Sequence, residues 1–382
     1  MIRGVPIPPF YAGEIAREAT RLARLGREVV PLHFGQPTMG PPAAVLQEAA
    51  RALREQPEAL GYWESESLRA RIAQHYLDTY SVKVAPERIL LTTGASAGLV
   101  ALFTALFRAG DRILLSRPGY PAYRNALSAL GRVPVELDCT CESGYGFTPE
   151  LIEAHAAGAR GVIVASPGNP TGAITSRASL QQIAHICRGR AMQLISDEIY
   201  HGISYEGEVA TALEVEPEAL VVNSFSKFFR MPGWRLGWVV VPEACIQAVQ
   251  AHLTNLFLTP PALSQHAALA AFDAHVELKA AVQVYAANRA ILQAQLPALG
   301  FRHAGTPQGA FYFYTDVAEL THDSRQFCLE LLEETGVGLA PGIDFDTRNG
   351  NHYVRISFAA STTQVQRALE LLGNGRTSGS RS

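Results

Sequence analysis

The sequence predicts an α/β fold: a large domain with a seven-stranded, mostly parallel sheet sandwiched by helices, plus a smaller α+β domain. Three observations carry this. The chain has 382 residues, too many for one compact core and enough for roughly two domains. From Arg88 onward, short apolar runs alternate with helical segments, the pattern of a mostly parallel sheet. Beyond a helical stretch at 262–297, strand-like runs return at 310–315 and 353–358.

In chain order, residues 1–10 are rich in proline and apolar side chains and read as an extended arm. Residues 11–27 carry helical periodicity with alternating charges and end at Gly26. Val29 to Phe34 reads as a short strand, followed by Gly35-Gln36-Pro37, and helices are expected at 43–55 and 67–80. Seven strands follow at 89–92, 112–115, 133–137, 161–165, 192–196, 220–223 and 236–241. Several are almost uninterrupted in hydrophobicity, as strands covered on both faces should be. The 262–297 stretch is expected to include a long helix bridging to the second domain, and a further helix lies at 322–336. The last helix fades by Leu372, leaving Gly373 to Ser382 as a polar, disordered tail.

Composition narrows the function classes. A hydrophobic content of 48% suits a globular enzyme, and the net charge of −3 gives no support to nucleic-acid or anionic-membrane binding. No apolar run reaches membrane-spanning length, and residues 1–10 lack a signal-peptide pattern. Five scattered cysteines fit reduced thiols in a cytoplasmic protein; Cys139 and Cys141 have no second pair with which to hold a metal.

Val221 to Trp238 is the chemically loaded stretch. Lys227 lies between an apolar strand and a Pro232-Gly233 turn, with Ser224 before it and Arg235 after it. A buried lysine loses its charge readily and becomes nucleophilic. A hydroxyl and a guanidinium beside it suit an anionic carbonyl cofactor, whose carbonyl would go to the amine and whose phosphate to the other two. Only three lysines occur among many arginines, which sets Lys227 apart from an ordinary surface cation.

Four other strand ends carry loops of interest, and strand ends are where ligands bind in such sheets. Gly94, Ala95 and Ser96 open a helix whose free N–H groups could hold an anion, although small residues also allow tight packing. Tyr120 tips a Pro-Gly turn and offers a flat face for a ring. Asn169 sits in Ser166-Pro167-Gly168-Asn169-Pro170-Thr171-Gly172, which could be merely a turn. Asp197 opens Asp197-Glu198-Ile199-Tyr200; a carboxylate there could cap a helix or meet a protonated pyridine nitrogen. Tyr200 and Asn169 could then hydrogen-bond the phenolic oxygen of the same ring.

Ser224-Phe225-Ser226-Lys227 followed by Pro232-Gly233-Trp234-Arg235-Leu236-Gly237 resembles the cofactor-lysine motif of class I/II aminotransferases, pyridoxal-phosphate enzymes of fold type I. The resemblance covers nearly the whole chain. It implies that Lys227 forms the Schiff base, Asp197 pairs with the pyridinium nitrogen, Tyr200 and Asn169 approach the ring oxygen, and Tyr120 stacks on the ring. It assigns Gly94, Ala95, Ser96, Ser224 and Arg235 to the phosphate cup. Tyr62 resembles the tyrosine that reaches a neighbouring subunit's phosphate, which implies a homodimer. Arg355, in Tyr353-Val354-Arg355-Ile356-Ser357-Phe358, resembles the fork for the substrate's α-carboxylate, with Gly35 opposite. Residues 1–45 become the arm and part of the small domain, 46–275 the large domain and 276–372 the rest of the small domain. One departure is that Tyr62 to Arg69 is about three residues shorter than the family pattern.

The implied reaction moves an amino group from an amino acid to a 2-oxo acid, with 2-oxoglutarate the expected acceptor. A carbon–sulfur β-lyase on the same fold is the alternative, since the same constellation generates the same carbanion. A DNA-binding regulator with such a domain is disfavoured by the charge and by a resemblance that starts near residue 10. A family subgroup that uses aspartate has a lysine where Ser96 stands. A serine cannot replace that cation, so neutral aliphatic or aromatic donors are expected, with Phe10, Tyr11, Trp63 and Tyr120 available for an apolar pocket.

Overall fold

The computed structural model describes residues 6–379. The expected seven strands form one sheet: β1 (Ile89–Thr92), β2 (Arg112–Arg117), β3 (Val133–Asp138), β4 (Ala159–Ala165), β5 (Gln193–Asp197), β6 (Leu220–Ser224) and β7 (Gly237–Val240). Their order is β1-β7-β6-β5-β4-β2-β3, and all pairings are parallel except the two made by β7. Both faces are covered. Alternation along β6 sends Val221 into one apolar cluster and Leu220 and Val222 into another. That double burial is why these strands read as continuous hydrophobic runs.

A second core joins both ends of the chain. Ile15, Ala19 and Leu22 of α1 (Tyr11–Arg24) pack with Tyr285 and Leu292, Phe313, Ile356 and Val365. Its sheet has four strands in the order β10-β11-β9-β8, where β8 is Arg302–His303, β9 Tyr312–Asp316, β10 Ala340–Pro341 and β11 Tyr353–Ser357. A parallel pair, Val30–Pro31 with Val337–Gly338, ties the N-terminal segment to this unit.

Some boundaries differ from expectation. The strand expected over Val29 to Phe34 is paired only at Val30–Pro31, because Leu32 and His33 turn their carbonyls to Ser357 N and Arg355 instead. The 262–297 stretch is two helices, Ala262–Ala271 and His275–Gln295, separated where Phe272 packs into the large-domain cluster. The final helix runs Thr362–Gly379, past the point where apolar periodicity stops. Residues 6–10 of the arm have no regular structure; the arm's first five residues, and 380–382 of the tail, lie outside the described residues.

Candidate active site

The carboxyl ends of β4, β5 and β6 meet the start of α2 (Gly94–Leu106) and the second sheet around a cavity of about 300 Å³. Asp197 ends β5 and is almost fully buried. One carboxylate oxygen accepts from Ile199 N at 3.1 Å, and the other accepts from the Tyr123 hydroxyl. Burial pushes its pKa up, against the lowering effect of those hydrogen bonds and of Lys227. Asp197 therefore caps a turn and also presents its carboxylate at the cavity.

Lys227 lies three residues beyond β6, in a loop closed by Phe225 N to Leu236 O at 3.1 Å and Met231 N to Phe225 O at 3.0 Å. It is half-buried because it faces the cavity, and its amine donates to Gly35 O at 2.5 Å. Burial, then the charges of Arg355 and Arg235, bring its pKa down to about 8, with Asp197 opposing. A neutral amine is thus accessible close to physiological pH.

Arg235 precedes β7 in a left-handed conformation (φ 52°), and its guanidinium lies against Gly94, where any Cβ would collide with it. That contact holds the guanidinium at the N-terminal turn of α2, whose Ala95 and Ser96 line the cavity. A helix N-terminus, a hydroxyl and a guanidinium together make an anion cup.

Arg355 is central in its sheet and only 2% exposed. Its Nη1 donates to Asn169 Oδ1 at 3.0 Å and its Nη2 to His33 O at 2.8 Å. The rings of Tyr312 and Phe345 lie 4.4 and 4.6 Å from its guanidinium carbon. The group is held in place before any carboxylate arrives. Gly35 stands at this wall, where a side chain would strike the Tyr312 hydroxyl. Tyr200 shares a 2.7 Å hydrogen bond with that hydroxyl.

Of the residues singled out in the sequence, Lys227, Asp197, Tyr200, Tyr120, Asn169, Arg235, Arg355, Gly35, Ala95 and Ser96 all line the cavity. Three do not. Gly94 lies behind Arg235 and admits it. Ser224 is turned inward, donating to Ser226 Oγ at 2.7 Å, and Ser226 lines the cavity instead. Tyr62 is 84% exposed on the outer surface. Phe10 and Tyr120 are on the wall, whereas Tyr11 and Trp63 are not.

Sequence reasoning missed Tyr123, Tyr312, His33 and Phe34. Tyr123 had a readable signal: Pro121 starts a helix, so Tyr120 and Tyr123 share its cavity-facing end. Tyr312 sits among alternating aromatics with nothing to distinguish it. His33 is buried beside Phe34 (ring centroids 4.3 Å apart), and burial and then Arg355 bring its pKa down to about 4, so it is neutral.

A family model for aminotransferase class I and II matches residues 27–372. The valine–pyruvate aminotransferase of Mycobacterium tuberculosis is 41% identical over 375 residues, covering 96% of each chain. The crystal structure of an aminotransferase from Mycobacterium tuberculosis superposes with a TM-score of 0.94 at 41% identity, covering 99% of both chains. The aspartate aminotransferase of Thermus thermophilus with maleate gives 0.91 at 30% identity, over 98% of this chain and 100% of that one. These relatives support transamination and not the β-lyase alternative. The fold, the cavity and the match along nearly the whole chain agree: the protein belongs to the class I and II aminotransferases.

Proposed function

We propose that this transaminase takes neutral aliphatic or aromatic amino acids as donors and passes the amino group to a 2-oxo acid. The observation that carries the donor class is the cavity's charge inventory. Among the described residues, Arg235 and Arg355 are the only arginines lining it, and Ser96 stands where a lysine would serve a second carboxylate. Phe10, Phe34 and Leu99 add apolar surface. The name of the Mycobacterium tuberculosis relative, which pairs valine with pyruvate, supports a neutral donor.

Members of this family depend on pyridoxal phosphate. The cavity fits that group: an amine with a lowered pKa, a buried carboxylate lacking a cation, and an anion cup made possible by the missing Cβ of Gly94 lie around one space. When bound, the group supplies an electrophilic carbonyl and a ring that accepts electrons. Lys227 would hold it covalently, Asp197 would keep its ring nitrogen protonated, and Tyr120 would cover a face. Asn169 and Tyr200 would hydrogen-bond its ring oxygen. Ala95, Ser96, Ser224 and Arg235 would serve its phosphate, with Ser224 acting through Ser226 in the present hydrogen-bond arrangement. Arg355 would bind the substrate's α-carboxylate and so orient Cα toward Lys227; once the substrate's own amine has displaced Lys227, the freed neutral amine would take the Cα proton and later return one.

A homodimer is supported by Tyr62, an aromatic left almost fully exposed at the position implied to serve a partner subunit's phosphate. Cytoplasmic residence is supported by five free cysteines; among the described residues no helix is long and apolar enough to cross a membrane. A division into a large domain and a smaller one built from both chain ends is supported by the separate apolar clusters; Val45 and Leu278 pack with the large one, just outside the bounds at 45 and 275.

Specificity constants for valine, leucine, phenylalanine, alanine and aspartate, each with 2-oxoglutarate and with pyruvate, test the proposal. Aspartate winning by about tenfold, 1.4 kcal/mol of transition-state discrimination, would overturn the donor class.

A further inference from the structure

The loop after β10 carries two adjacent residues with separate tasks. Phe345 packs its ring on Arg355 and accepts from Gly119 N at 3.0 Å, steadying the turn that presents Tyr120. Asp344, one residue earlier and 3% exposed, accepts from Tyr11 N and from Ala12 N, one bond to each carboxylate oxygen, both 2.8 Å. Those are the first two backbone donors of α1. Phe10, which precedes the helix, provides no cap of its own. Asp344 therefore does the work that the side chain of the N-cap residue Phe10 cannot, and does it from the far end of the chain.

Phe10 is 44% exposed yet forms part of the cavity wall. The rest of α1 is anchored independently: Ile15, Ala19 and Leu22 are in the small-domain core, and Glu14 pairs with Arg325 at 2.7 Å. Removing the cap thus loosens the first turn and Phe10 without releasing the helix.

We propose that Asp344 is a specificity-determining positioning residue: by capping α1 it holds Phe10 against the side chain of the substrate, on the loop that also braces the carboxylate-binding Arg355. Carboxylate capture and the apolar wall then share one support. This rests on the assignment of the cavity as the site for neutral amino donors.

The test uses the cofactor-loaded enzyme and the variants Asp344→Ala, Asp344→Asn, Phe10→Ala and the double variant. KM is compared for alanine and for the bulkiest neutral donor the wild type accepts. Losing an ordered phenylalanine contact should raise KM for the bulky donor about tenfold more than KM for alanine. Phe10→Ala should reproduce that ratio, the double variant should not exceed it, and Asp344→Asn, which keeps one acceptor oxygen, should fall between. Hydrogen–deuterium exchange should quicken at residues 10–13 and not over the remainder of α1. Equal KM changes for both donors, additive effects in the double variant, unchanged exchange, or exchange quickened along all of α1 would each overturn the proposal. Should Asp344→Ala fail to fold, Asp344→Asn decides by the same criteria. A wild type that prefers aspartate would instead overturn the donor class, and the exchange at residues 10–13 would still decide the cap.

Discussion

Asp197, Lys227 and Arg235 stand at one edge of a single sheet and come from one continuous stretch of chain, whereas Phe10, Gly35 and Arg355 on the facing wall come from the two chain ends. The first group is fixed by strands buried on both faces. The second is brought together by contacts between distant parts of the chain: Arg355, on a central strand of the smaller sheet, donates to His33 O, and Tyr11 N donates to Asp344. A reaction common to a whole family needs the rigid edge. A choice among substrates can be changed by altering the wall and leaving that edge alone.

The comparison breaks first if the edge is not where the chemistry lies. Lys227→Ala should lower kcat by about 10,000-fold, the upper range for a lost acid–base group, with thermal stability of the apoprotein little changed. Borohydride reduction and peptide mapping should place the cofactor on Lys227 and on neither Lys83 nor Lys279. Asp197→Ala should lower kcat by about 100- to 1,000-fold at saturating substrate, as for removal of a charge-stabilising group. On the wall, Arg355→Ala should act mainly on KM for both amino and oxo acids, by about 100-fold, because a fixed charged hydrogen-bonding group is lost from ground and transition states alike. Matching kinetic profiles for Asp197→Ala and Arg355→Ala would erase the distinction between edge and wall.

A smaller effect sharpens it. The Lys227 pKa of about 8 means that its amine is protonated below that pH and neutral above it. Capture of pyridoxal phosphate by the apoprotein should therefore quicken as pH rises toward 8 and level off beyond; a rate independent of pH from 6 to 9 would contradict the lowered pKa. The smallest effect expected is on stability. Burial raises the Glu198 pKa to about 8, so the folded protein binds a proton there that the unfolded chain has already lost. Stability from this group falls as pH rises from the ordinary glutamate range through about 8. Glu198→Gln keeps an acceptor for Ala212 N, Thr211 and Ser196 and should flatten that part of a melting-temperature profile.

The edge was legible because its causes are local. A doubly covered strand announces itself in composition, and the residue that ends it is then placed at the cavity by topology. Asp197 and Lys227 could be read this way, and Ser96 and Asn169 followed from their loops. The direction of a side chain where a strand runs out into a loop could not be read, so Ser224 and Ser226, two residues apart in one motif, exchanged places on the wall. Contacts between chain ends leave no periodic trace. His33 and Tyr312 look like any residues of a short strand until the second sheet brings Arg355 onto them. Asp344 looks like a turn residue because its partner helix lies at the opposite end of the sequence.

The reversed direction of β7 has a kinetic consequence. The other six strands of the large sheet run in one direction, but β7 runs back against them, so β6 reaches it without a crossover and Lys227 and Arg235 lie in one short loop. Closing such a loop costs little chain entropy, and contacts of low sequence separation form early. A refolding chain can therefore bring Lys227 and Arg235 together well before residues 10 and 355 have found each other. The loop that carries Lys227 becomes an early feature of assembly, and the wall that faces it a late one.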